Sequence, residues 1–177
     1  MKKNQFTMLV GLPGSGKSTF CNENPNSTII SLDRLIEQTM TPGETYAQAF
    51  VRVQKSGELK KMDREMFDNA NVLANTPRML NRAVLDMDVI WDQTNLTIKS
   101  RKRKLDMFTS DWWERTCVVF DISNDEWERR LAKRKEETGK TIPDYVLNEM
   151  RKSYQPPIPE EGFDLVVFMG DQFNREA

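Results

Sequence analysis

The stretch Gly11-Leu12-Pro13-Gly14-Ser15-Gly16-Lys17-Ser18-Thr19 constrains this chain more than any other, because it follows directly on the mostly apolar run Phe6-Thr7-Met8-Leu9-Val10. It fits G-x-x-x-x-G-K-[ST], the P-loop pattern, and it does so with a strand signal before it and a helix signal after it. The glycines let successive backbone N–H groups turn inward around a phosphate. Lys17 brings a mobile positive charge, and Ser18 offers a hydroxyl to Mg2+. Gly11, Pro13, Gly14, Ser15, Gly16, Lys17, Ser18 and Thr19 are therefore the expected nucleotide-binding residues, with ATP or another nucleoside triphosphate as ligand and Mg2+ as cofactor. The competing reading is a glycine-rich turn with no ligand.

A strand that feeds such a loop needs a sheet around it. Four more short, apolar or β-branched runs supply one, at residues 28–31, 87–92, 116–121 and 164–169. Helical patterns alternate with them: 17–22, a helix beginning at Asp33, then 45–55, 58–72, 77–85, 97–108, 125–136 and 143–153. Alternation of this kind predicts an α/β fold, with about five parallel strands and helices on both faces. At 177 residues one domain is expected, without an internal repeat. Residues 41–85 are too long for a simple crossover and are expected to form a helical insertion, either shaping the acceptor entrance or covering the sheet. Residues 125–145 are expected to form a helical lid, and 171–177 a C-terminal tail.

Composition removes several chemistries. Histidine is absent, so His-based triads and His-ligated metals are excluded and any general base must be a carboxylate. The cysteines, Cys21 and Cys117, lack metal-type spacing. They fit a reducing, cytoplasmic setting, and Cys117 reads as core. No stretch approaches a membrane span, and the apolar run behind Lys2 and Lys3 is too short for a leader. The net charge of -1 argues against a uniformly basic surface. The basic residues gather instead in two clusters, Lys99, Arg101, Lys102, Arg103, Lys104 and Arg129, Arg130, Lys133, Arg134, Lys135. Each is open to two readings, a site for phosphorylated ligands or a solvated helix face.

In open α/β sheets, ligands gather at the carboxyl ends of the strands, and the polar residues of this chain follow those ends. Asp33 and Arg34 come after the second run. A carboxylate there can accept a proton from an attacking hydroxyl, or merely cap the helix that follows. Asp92-Gln93-Thr94-Asn95 follows the third. Asp92 suits Mg2+ or a neighbouring arginine, and Thr94 and Asn95 offer neutral hydrogen bonds to nucleotide or acceptor. The alternative is a polar turn with Thr97 capping the next helix. Arg130 and Arg134 stand four apart, on one helix face, where a polyphosphate would relieve their repulsion. Glu126, four before Arg130, offers a simpler explanation.

Taken together, GLPGSGKST, Asp33, DQTNL at 92–96 and RRLAKR at 129–134 resemble the kinase domain of phage-type polynucleotide 5′-kinases, along nearly the whole chain. The segment Pro159-Glu160-Glu161-Gly162-Phe163 is similar to one found across that wider kinase group. The resemblance implies an ATP-dependent kinase of 5′-hydroxyl DNA or RNA ends in nucleic-acid repair. In it Lys17 and Ser18 hold phosphates and Mg2+, Asp33 is the base, Asp92 supports the site, and Arg130 and Arg134 are lid arginines. Arg34, Thr94, Asn95, Arg101 and Arg103 would contact the acceptor, with the helix over 99–104 as the strand-binding face. Where the family carries an arginine three residues after the base, this chain has Ile36, which leaves a small alcohol open as acceptor. The phosphatase motif D-x-D-x-T is absent. DQTN and its basic helix also resemble a P-loop region of heterogeneous nuclear ribonucleoprotein U, which implies nucleotide and RNA association; a non-catalytic nucleotide-binding module is the third reading.

Overall fold

Strand β1 (Asn4–Val10) alternates toward two opposite cores, as a central strand of a parallel sheet must. Phe6 and Met8 point to one face, where they join Ile30, Val89, Trp91 and Phe108. Leu9 points to the other, with Ile90, Val118 and Cys21. The computed structural model that shows this describes residues 3–75, 88–109, 111–138 and 141–170. The helix expected at 77–85 and the tail at 171–177 lie outside the described residues.

The remaining strands are β2 (Thr28–Ile30), β3 (Val89–Trp91), β4 (Trp113–Phe120) and β5 (Leu165–Met169). All pairings are parallel, in the order β2-β3-β1-β4-β5. Met8 is in register with Trp91 on one side and Cys117 on the other. The five-stranded parallel sheet is the one expected from sequence. β4 begins three residues earlier than its apolar run, because Trp113 closes the core and donates from Nε1 to Ala74 O at 3.0 Å.

Helix α1 (Lys17–Glu23) covers the Leu9 face through Phe20 and Cys21. Helix α4 (Glu58–Asn75) covers the opposite face with Met66, Ala70 and Ala74, spaced as one helical stripe. Between them in the chain come α2 (Leu32–Gln38) and α3 (Tyr46–Ser56). Ile36, fully buried, packs on Ala49 and Val53 between these two helices. Within 41–75, α4 packs on the sheet and α3 packs on α2, the helix that carries Asp33.

Helix α5 (Ile98–Leu105) starts at its expected cap, with Thr97 Oγ1 accepting from Ser100 N. Its character differs from either reading of the basic cluster. Arg101 is fully buried, and its guanidinium grips Glu161 with two bonds, at 2.7 and 2.8 Å. It also donates to Asn95 O at 3.0 Å and Pro156 O at 3.4 Å. Glu161 sits in a short 3₁₀ turn, Pro159–Glu161, which presents the counter-ion of Arg101. Arg101 thus has no surface to offer a nucleic-acid strand, which corrects the expectation. Arg103, the other expected acceptor contact on this helix, lies with its guanidinium 3.6 Å from the ring centroid of Phe67 on α4.

A buried ion pair is costly to break from one side, because the remaining charge keeps its burial and loses its partner. Glu161→Ala is expected to lower unfolding free energy by about 3–5 kcal/mol in urea titrations. The double change Arg101→Met, Glu161→Leu should cost less than Glu161→Ala alone. A loss under about 1 kcal/mol for Glu161→Ala would mean the pair does not anchor the fold.

Candidate active site

The loop between β1 and α1 is shaped by contacts from two sides. Gly14 (φ +82°) and Gly16 (φ +117°) take backbone angles that a side chain resists. A Cβ at Gly14 would stand 3.1 Å from Leu131, and one at Gly16 3.2 Å from Arg130 Nη1. Both neighbours belong to helix α6 (Asn124–Thr138), which lies against the loop. Trp127 on α6 donates from Nε1 to Pro13 O at 2.7 Å, and Arg130 donates from Nη1 to Ser15 O at 3.0 Å. From the other side, Gly11 N donates to Thr94 O at 3.0 Å and Asn95 Nδ2 to Leu9 O at 2.6 Å.

Within this frame Ser15 Oγ is buried with no hydrogen-bond partner. An orphaned buried hydroxyl carries a desolvation cost that a phosphate oxygen would relieve. Lys17 is 8% exposed, and its ammonium rests on Gly11 O and Leu12 O at 2.8 Å each. Burial lowers its pKa to about 8; Asp92 and Asp33 favour its charge and Arg134 opposes it. Ser18 and Thr19 are exposed at the start of α1. An unsatisfied hydroxyl, a loop-bound ammonium and two accessible hydroxyls fit the polyphosphate of a nucleotide.

Beside the loop, a cleft of about 330 Å³ is lined by Asp33, Asp92, Gln93, Thr94, Asn95, Lys104 and their neighbours. Asp33 is not the cap of its helix. Ser31 takes that place, with its Oγ accepting from Arg34 N at 3.5 Å. Asp33 stands in the first turn, exposed, and accepts a hydrogen bond of 2.5 Å from the Tyr46 hydroxyl on α3. Burial, followed by that bond to Asp33, pushes the Tyr46 phenol well above its ordinary pKa, so it stays a donor. Asp92 is half-buried; burial raises its pKa, with Lys17 and Arg34 pulling the other way. The Cys21 thiol bonds to Asp92 and, mainly through burial, is pushed up to about 12. Among the described residues no group of three or more Cys, Asp or Glu is arranged to hold a metal by itself.

Residues 6–157, which carry the loop and the carboxylates described above, match a known family model described as AAA domain. This chain belongs to the AAA domain family. Human heterogeneous nuclear ribonucleoprotein U-like protein 2 is 25% identical over 179 residues, with 98% of this chain and 22% of that protein covered. The chain thus spans about a fifth of the length of that relative. Among solved structures, a sugar kinase from Janibacter sp. HTCC2649 superposes with a TM-score of 0.55 at 17% identity, over 94% of this chain and 85% of the other. A fungal RNA kinase does so with 0.52 at 16%, over 96% and 75%. At these identities the likeness is one of fold. The AAA domain here has the P-loop kinase-like fold, which implies nucleoside triphosphate binding.

Of the residues expected at the site of this AAA domain, the structure gathers Lys17, Arg34, Asp33, Asp92 and Arg134 into one electrostatic cluster. Arg130 is divided between Ser15 O and Glu126, whose Oε1 it meets at 2.6 Å. The pairing with Glu126 is thus present, and the second bond ties Arg130 to the loop. The expected lid helix is α6, and its inner side is docked on the loop. Thr94 lines the cleft. Asn95 also lines it, yet its side chain is spent inside the protein, on Leu9 O, Gln93 O and Lys104; its expected role as a direct ligand contact gives way to a structural one. Three contributors were not singled out from sequence. Tyr46 and Trp127 carry no spacing signal, since each reaches the site from a separate helix. Lys104 was hidden in a cluster whose members face different ways. Among the described residues no helix is long and apolar enough to cross a membrane.

The depressed pKa of Lys17 gives nucleotide binding a pH dependence with a definite sign. The free AAA domain loses this proton as pH rises through about 8, whereas a bound polyphosphate favours the charged form. Binding above that pH must take up a proton, so affinity falls as pH rises. Calorimetry with a non-hydrolysable ATP analogue should show nearly constant affinity below pH 7 and a decline approaching about tenfold per unit above pH 8. Lys17→Gln should bind weakly, without that decline. A flat wild-type profile to pH 10 would exclude Lys17 from the phosphate site.

Proposed function

We propose that this AAA domain is an ATP-dependent phosphotransferase that phosphorylates an alcohol, with the 5′-hydroxyl end of DNA or RNA as its acceptor. The observation that carries the reading is Asp33. It is an exposed carboxylate on the cleft, relieved of capping by Ser31 and held by the Tyr46 hydroxyl. In the reaction the acceptor oxygen attacks the terminal phosphorus of ATP in line. The bond from that phosphorus to the bridging oxygen of ADP breaks, and the hydroxyl proton passes to Asp33. Lys17 and Arg134 balance charge on the transferring group, and Arg130 holds the loop against the lid. Ser18 and Asp92 would hold Mg2+, which supplies charge neutralisation across the phosphates. The relatives are consistent with this reading: one solved neighbour is titled an RNA kinase, and the curated relative is named for ribonucleoprotein.

A second reading, a kinase of a small alcohol, is favoured by the burial of Arg101, which removes the centre of the expected strand-binding face. A sugar kinase shares the fold equally well. Transfer of labelled phosphate from ATP across a panel of 5′-hydroxyl oligonucleotides, nucleosides and sugars distinguishes the two. Asp33→Asn should lower transfer by about 10²–10⁴-fold on any accepted alcohol. Tyr46→Phe should cost about tenfold, the worth of one hydrogen bond to a charged group. Near-normal transfer by Asp33→Asn would remove the base from the mechanism.

A further inference from the structure

The cleft beside Asp33 contains a cation that the transfer chemistry does not use. Lys104, on α5, is 4% exposed and lines the same cleft as Asp33 and Asp92. Its ammonium donates to Asn95 Oδ1 and lies 5.3 Å from the centroid of the Trp91 ring. An ammonium has three N–H donors, and among the described residues no carboxylate forms an ion pair with it. Its charged neighbours have been sorted by the fold. Arg103 and Arg101 of its own helix oppose its charge and Asp63 of α4 favours it. Asp33 and Asp92, by contrast, are the carboxylates coupled to Lys17. The cleft therefore brings together two carboxylates, from α2 and from the segment after β3, and one ammonium from α5.

Maintaining a buried cation with no carboxylate in direct contact is unfavourable, and burial and the two arginines, opposed by Asp63, drive the Lys104 pKa down to about 7. An anion entering the cleft would stabilise its charged form. We propose that Lys104 is the anion-binding residue of the acceptor site, so that the preferred acceptor is an alcohol that already carries a phosphate near its reacting hydroxyl. This rests on the reading of Asp33 as the group that meets the hydroxyl. The hydroxyl then lies at Asp33 and the phosphate at Lys104, both of which line the cleft together with Thr94 and Ser100. Lys104 forms no covalent bond and moves no proton; it selects and orients.

The test is calorimetric titration of the full chain, saturated with a non-hydrolysable ATP analogue, with adenosine 3′-monophosphate and with adenosine. Wild type should prefer the phosphorylated ligand by about tenfold or more. Lys104→Met should erase that preference while ATP-analogue affinity stays within about twofold. Lys104→Arg, which keeps the charge and guards against a folding artefact, should retain most of it. An unchanged preference in Lys104→Met, or equal binding of both ligands by wild type, overturns the proposal. A parallel titration with glycerol 3-phosphate separates sources of the anion. Lys104-dependent binding there supports a small phosphorylated alcohol, and binding confined to adenosine 3′-monophosphate supports a nucleotide end. Asp33→Asn should keep the preference, because binding is read without turnover. Failure of phosphate transfer and failure of the anion site are therefore separate results. Where transfer is measured, Lys104→Met should raise KM for the phosphorylated alcohol far more than it lowers kcat.

Discussion

The ion pair between Arg101 and Glu161 is the constraint on which the site depends. It is fully buried on both sides, with side-chain exposures of 0% and 3%, so neither charge can be left alone. From Arg101 the connection runs to Asn95 O, and from the Asn95 side chain to Leu9 O at the end of the central strand. Gly11 N then bonds to Thr94 O. Four short bonds thus join the 3₁₀ turn before the last strand to the first residue of the phosphate loop. Asn95 takes a positive φ of 49° to meet both partners, a conformation that asparagine tolerates better than most residues. The loop is positioned by the fold's interior before any ligand arrives.

Its other side is held by α6, and the two supports differ in kind. The Asn95 side is buried and connected to the core. The α6 side consists of Trp127, Arg130 and Leu131, and the last two are half exposed. Arg151 lies over the Trp127 ring with its guanidinium carbon 4.1 Å from the centroid, which ties helix α7 (Asp144–Ser153) into the same support. Arg130 bonds to Glu126 as well as to the loop, and Arg129 draws on the same carboxylate at 2.7 Å. Those two arginines hold the Glu126 carboxyl down at about pKa 2.

Most of the fold was legible in the sequence because it is written in patterns that local physics enforces. Strand β1 and the glycine spacing predict the loop, and the strand-helix alternation predicts a parallel sheet. The candidate site was legible where a residue follows a strand end, and at Arg134 through its helix spacing from Arg130. Asp33 and Asp92 were found that way, and both line the cleft. Arg101 was misread because a run of basic residues says nothing about direction: on α5, Lys99, Lys102 and Arg103 are exposed while Arg101 and Lys104 turn inward. Which face a basic helix buries depends on a partner sixty residues away, Glu161, and no periodicity within α5 records it. Tyr46 and Trp127 were missed for the same reason. Each is an ordinary aromatic on its own helix and becomes part of the site through packing, α3 on α2 and α6 on the loop.

The placement of Ser31 explains how Asp33 comes to be available. A helix that begins beside an active cleft needs its first N–H groups satisfied, and an acidic residue near the start would ordinarily serve. Were Asp33 the cap, its carboxylate would be directed back onto the backbone and lost to the cleft. Ser31, two residues earlier, takes that bond, so Asp33 moves into the first turn. There it still benefits from the helix dipole while its oxygens remain outward. Tyr46 then occupies only Oδ1. A carboxylate with one oxygen fixed by a donor that stays protonated is oriented, and its remaining oxygen can accept a proton. Capping, dipole and phenol each remove one freedom from the same group. The outcome is a carboxylate oriented by three ordinary interactions, two from α2 and one from α3, and none of them requires a residue that the phosphate loop itself provides.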